Sequence, residues 1–79
     1  MNNLLLYTTS HCHLCEQAQQ IIYHAFGEVV REIDIITDDA LLERYGIRIP
    51  VLHEQTSGNE LDWPFDHEQV VQFVDNFCK

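Results

Sequence analysis

The chain has 79 residues, 46% of them apolar, and thirteen acidic against four basic side chains give a formal charge of −9. That length allows one small domain, read as residues 1–79, which buries little more than ~60% of the surface its unfolded form exposes. The apolar content excludes a disordered chain, and the charge excludes nucleic acid and anionic membrane, partners that need clustered Lys or Arg.

The first predicted element is a strand over Leu4–Tyr7, a continuous apolar run of the kind covered on both faces. An amphipathic helix follows the cysteines and ends near Phe26. Its stripe is Leu14, Ala18, Ile21, Ile22 and Ala25, with Gly27 as the C′ stop. Val29–Ile35 is rich in β-branched residues and alternates as a strand nearer the sheet edge. Thr37 is placed to cap a short helix that carries Asp38 and Asp39 in its first turn and closes at Tyr45 and Gly46. Ile49–His53 reads as a third strand with proline at its start, one of the few strand positions proline tolerates. Thr56-Ser57-Gly58-Asn59 is turn chemistry, so Glu60–Trp63 returns as the second arm of a hairpin, ended by Pro64. Asp66 and Gln69 then form a capping box before a last helix striped by Val70, Phe73, Val74 and Phe77.

The order is β-α-β-α-β-β-α. The first strand–helix–strand unit is expected to be parallel with a right-handed crossover, and the later hairpin antiparallel. A mixed four-stranded sheet flanked by three helices accounts for every apolar stripe, which makes the fold class α/β.

His11-Cys12-His13-Leu14-Cys15 lies at the junction of the first strand and the first helix. A helix N-terminus offers unpaired N–H groups and the positive end of the helix dipole, both of which favour an anion. A thiolate is such an anion and is the reactive form of cysteine. Three cysteines are too few for a secreted disulfide framework. Met1-Asn2-Asn3 lacks the positive charge of a signal peptide, and no run approaches the ~20 apolar residues of a membrane span. A soluble, cytoplasmic protein is therefore expected, and in a reducing compartment a Cys-X-X-Cys pair is catalytic or metal-binding more often than structural.

Leu4–Cys15, Arg48-Ile49-Pro50-Val51-Leu52 and Leu61–Asp66 together resemble a thioredoxin-fold protein, specifically a small glutaredoxin-like one. The resemblance covers essentially the whole chain and implies thiol–disulfide exchange. In that pattern Cys12 is the exposed nucleophile, Cys15 the resolving thiol, and Cys12–Cys15 the redox disulfide. Pro50 matches the family's cis-proline, and the backbone of Ile49 would pair with an extended substrate. The implied partners are a disulfide-containing protein or a glutathione mixed disulfide, with a reductase system as electron source. No bound cofactor is implied, glutathione enters as a co-substrate, and a monomer is expected. The chain departs from the family's usual pattern in three places: His-Leu lies between the cysteines, no Lys or Arg precedes Cys12, and Trp63-Pro64-Phe65-Asp66 replaces a Gly-Gly-Asp-type stretch.

Read from the residues themselves, His11 and His13 are candidates for tuning the Cys12 thiol through local positive charge. With the cysteines they also offer soft metal ligands. A closed zinc site needs four, generally as two pairs, and His24, His53, His67 and Cys78 supply no second close pair, so no metal is expected. Trp63 and Phe65 are expected to pack rather than to contact substrate. Arg48 is open to two readings, a carboxylate binder near the site or a solvated charge. Cys78, at the far end of the last helix, is expected to lie outside the site. The alternative function is a non-enzymatic module of the same fold that binds a metal, an iron–sulfur cluster or a partner protein through this face.

Overall fold

The computed structural model describes residues 3–10 and 12–77, so His11 and Cys78 lie outside the described residues, as does the side chain of Phe77. Four strands, β1 (Leu4–Thr8), β2 (Arg31–Asp34), β3 (Val51–Glu54) and β4 (Glu60–Asp62), form one sheet in the order β2-β1-β3-β4. β1 pairs parallel with β2 and antiparallel with β3, and β3 pairs antiparallel with β4. Three α-helices, α1 (His13–Phe26), α2 (Asp39–Tyr45) and α3 (His67–Phe77), complete the expected order.

Every residue of β1 is buried, because alternate side chains feed two separate cores. Leu4 and Leu6 pack with Ala18, Ile22, Leu52, Phe65, Val70 and Phe73 on the face covered by α1 and α3. Leu5 and Tyr7 point the other way, into a cluster with Ile35, Tyr45 and Val51 that is backed by Leu41 of α2. The central strand is thus held from both sides, as its unbroken apolar run requires.

Local chemistry moves several boundaries from their predicted places. β2 starts at Arg31 rather than Val29, because the Gln19 side chain takes both backbone groups of Val30. Gln19 Nε2 donates to Val30 O at 3.1 Å, and Val30 N donates to Gln19 Oε1 at 3.1 Å. β2 stops at Asp34, whose carboxylate accepts from Ile36 N at 3.0 Å and opens a 3₁₀ turn over Ile35–Thr37. Thr37 therefore ends that turn and does not cap α2. The cap is Asp38, which accepts from Ala40 N at 2.8 Å. β3 begins at Val51, leaving Ile49 and Pro50 in the loop before it, and β4 ends at Asp62.

Leu14 is the exception in the α1 stripe: it is 46% exposed, and Cys15 takes the buried position in the first turn. The rest of the helix behaves as its pattern requires. Gly27 adopts φ 87° as the left-handed cap and donates its N–H to Tyr23 O at 2.8 Å. The capping box of α3 is reciprocal: Gln69 N donates to Asp66 Oδ1 at 2.8 Å, and Asp66 N donates to Gln69 Oε1 at 3.0 Å. Among the described residues, no helix is long and apolar enough to cross a membrane.

Candidate functional site

The sheet brings Cys12 and Pro50 to one end. β1 runs toward the dithiol and β3 runs away from it. The register sets Tyr7 opposite Val51, so Pro50 falls one step farther, beside the exit of β1. The Ile49–Pro50 peptide is cis, as the resemblance implied, and the Trp63–Pro64 peptide is cis as well.

Cys12 and Cys15 are joined as a disulfide. Their surroundings differ. Cys12 is the N-cap of α1, in extended conformation, with its sulfur accepting from Cys15 N at 3.1 Å. It is half-buried, whereas Cys15 is only 4% exposed. An N-cap side chain is placed to accept from the free N–H groups of the first turn. A sulfur that fills this place is stabilised as a thiolate by those donors and by the helix dipole. The geometry therefore separates an accessible, anion-favouring sulfur from a sheltered one. Ser10, in the loop between β1 and α1, donates to Asp34 Oδ2 at 3.3 Å and ties that loop to the end of β2.

His13 projects into solvent, and its Nδ1 lies 3.9 Å from Glu16 Oε2. The Ile49 backbone is half committed: its N–H donates to Tyr45 O at 3.1 Å. Its C=O makes no hydrogen bond among the described residues. Trp63 and Phe65 pack as expected, edge to face with centroids 5.1 Å apart, and Phe65 is buried in the α1–α3 core.

Arg48 binds carboxylates, as one of its two sequence readings has it, and those carboxylates belong to its own chain. Nε and Nη2 donate to Asp62 at 3.2 and 2.8 Å, and Nη2 also donates to Glu60 Oε1 at 2.8 Å. The guanidinium lies over the Tyr45 ring at 5.0 Å, and that ring stacks on Tyr7 at 4.3 Å. Glu60 also accepts from the Tyr45 hydroxyl and lies 3.0 Å from His53 Nδ1. Burial pushes the Glu60 carboxyl up, but the Tyr45, Arg48 and His53 hydrogen bonds outweigh it and hold the carboxyl below its ordinary value. The same partnership pushes the Tyr45 hydroxyl up to about 12, burial being the larger cause and Glu60 the second.

This polar cluster links the proline loop, the edge strand β4 and, through Tyr7, the strand that leads to Cys12. Sequence reasoning missed it. The one available signal was the alternation of Glu60 and Asp62 on a short strand, which sets two carboxylates on one face.

Comparison with known proteins agrees with this architecture. The chain is similar to the Northeast Structural Genomics target protein XcR50 from X. campestris. Against its X-ray structure the identity is 40%, covering 92% of this chain and 96% of that one, with a TM-score of 0.84. Against its solution structure the identity is 39%, covering 96% and 95%, again with a TM-score of 0.84. No curated protein matches the chain. The family model described as Glutaredoxin-like domain (DUF836) matches residues 3–75, and the chain belongs to that family.

Proposed function

We propose that this member of the glutaredoxin-like family is a thiol–disulfide oxidoreductase in which Cys12 attacks and Cys15 resolves. The observation that carries this reading is the asymmetry of the pair: a half-buried sulfur at the helix N-cap beside a buried one. In the reducing direction the Cys12 thiolate attacks one sulfur of a substrate disulfide. A Cys12–substrate S–S bond forms, the substrate S–S bond breaks, and the leaving thiolate takes a proton from solvent. Cys15, deprotonated, then attacks Cys12. The protein disulfide forms and the second substrate thiol departs. The substrate gains two electrons and the protein loses two, which an external thiol donor restores.

Ile49 and Pro50 are the substrate-facing backbone in this proposal, and His13 and His11 the neighbouring cations when protonated. The substrates are protein disulfides or glutathione mixed disulfides, met by a monomer in a reducing cytoplasmic compartment.

Cys15→Ser tests the assignment. The variant is expected to accumulate a mixed disulfide on the Cys12 peptide, identified by mass, and Cys12→Ser to accumulate none at Cys15. Trapping at Cys15, or no trapping at Cys12, sinks it. Reduction of the wild-type disulfide by glutathione with glutathione reductase, in parallel with thioredoxin reductase, assigns the electron donor.

A further inference from the structure

Of the four Lys and Arg residues in the chain, Arg48 is the one that adjoins Ile49 and Pro50. A guanidinium grips a carboxylate bidentately through one of two edges, Nε with Nη2 or Nη1 with Nη2. Both edges use Nη2. In this structure Nη2 donates to Asp62 Oδ1 and to Glu60 Oε1, each at 2.8 Å, and Nε donates to Asp62 Oδ2 at 3.2 Å. One face of the guanidinium is covered by the Tyr45 ring. No bidentate edge is left for a ligand. Arg44 lies over the same Tyr45 ring at 5.5 Å, so two guanidiniums balance the two carboxylates, and what the cluster withholds from a ligand is a free guanidinium edge. Asp34 adds an acidic group at the same sheet end, paired in register with Thr8.

We propose that Asp62 and Glu60 are specificity determinants: by occupying Arg48 they leave the proline loop without a grip for carboxylates, so the dithiol takes neutral or cationic disulfides in preference to carboxylate-bearing ones such as glutathione disulfide. The proposal rests on the exchange chemistry set out above and names the substrate class of that site. Asp62 is half exposed on an edge strand, which makes it the carboxylate whose neutralisation least disturbs the core. Its replacement by Asn removes the charge, leaves Glu60 to balance Arg48 and leaves a single acceptor on the Nε edge.

The test uses the full-length Cys15→Ser chain at low ionic strength with three small disulfides: glutathione disulfide (anionic), hydroxyethyl disulfide (neutral) and cystamine (cationic). Each rate of mixed-disulfide formation on the Cys12 peptide is divided by the rate of the same disulfide with 2-mercaptoethanol, which removes intrinsic reactivity. The normalised rates are expected to rise from glutathione disulfide to cystamine across about tenfold, and to converge as salt screens the charges. Asp62→Asn is expected to raise the glutathione rate about fivefold and leave the neutral rate unchanged. In an Arg48→Met background the same substitution is expected to give little gain, and Arg48→Gln serves the same cycle if Arg48→Met does not fold. Equal normalised rates overturn the proposal, as does a D62N gain that is absent, shared by the neutral disulfide, or undiminished without Arg48. A protein that forms a mixed disulfide with none of the three fails earlier, at the exchange reading itself.

Discussion

The backbone N–H of Cys15 points at the sulfur of Cys12, 3.1 Å away, so the second cysteine of the motif supplies a donor to the first. The donor belongs to the main chain and survives substitution of the Cys15 side chain. In the reduced protein it favours the Cys12 thiolate together with the N-terminal end of α1. Iodoacetamide should therefore alkylate Cys12 ahead of Cys15, with a pH midpoint below the ~8.5 of free cysteine. Peptide mass mapping across a pH series measures both. A midpoint at the free-thiol value would show that the helix terminus contributes nothing.

Tyr45 joins the proline loop to β4 through its hydroxyl, which donates to Glu60. Tyr45→Phe removes that bond and is expected to cost about 1 kcal/mol at pH 7, read by urea denaturation. The pH dependence has a definite sign. The folded-state value is raised from 10.0 to about 12, so the stabilisation is complete below pH 10 and is lost as pH rises toward 12. The gap between wild type and Tyr45→Phe should close over that interval. A gap that widens would contradict the assignment.

Glu54 is 1% exposed, and its carboxylate accepts from Thr56 N at 3.1 Å and Ser57 N at 2.8 Å, closing the turn of the β3–β4 hairpin. Burial pushes its carboxyl up, but the donors of Ser57 and Thr56 outweigh that and leave it lowered. A lowered carboxyl stabilises above its unfolded-state value, and the contribution disappears as pH falls through the folded one. Glu54→Ala should lower Tm at neutral pH by several degrees. The deficit should shrink in acid, as thermal melts from pH 7 to pH 2.5 would reveal.

Gln19 is expected to matter more than an amide on a helix surface ordinarily does. Its side chain is the partner of both Val30 backbone groups, and Val30 is buried. Gln19→Ala leaves a buried donor and a buried acceptor unpaired, at about 1–3 kcal/mol. Gln19→Glu restores the acceptor alone and sets a carboxylate beside Glu32, so it should recover little. Chemical denaturation of the two variants decides this, and full recovery in Gln19→Glu would show that Val30 N–H is the bond that counts.

Elements held by local rules are legible in the sequence itself. The β1 run, the Gly27 stop and the Asp66–Gln69 box depend on residues within a turn of one another, and each is present. The boundaries that differ are decided from farther away, or by competition between equivalent groups. Gln19 reaches eleven residues along the chain to delay β2. Asp34 and Asp38 each capture the N–H two residues on, which takes the cap of α2 away from Thr37. At the site, the place of the cysteines before a helical stripe is readable, and the cis form of the Ile49–Pro50 peptide follows from resemblance alone. The role of Arg48 is not readable, because its partners lie 12 and 14 residues later and meet it only when β4 folds beside β3.

The division of the core into two faces means that the halves of the site rest on separate foundations. Ile22 supports the dithiol helix from one side of the sheet, and Ile35 packs with Tyr45 behind the proline loop on the other. Ile22→Ala and Ile35→Ala should each destabilise by about 2–5 kcal/mol. Because the two cavities share no wall, their effects should add to within ~0.5 kcal/mol. The geometry of the cysteine pair and that of the proline loop can then drift independently under mutation, so one scaffold can alter either end of the site without rebuilding the other.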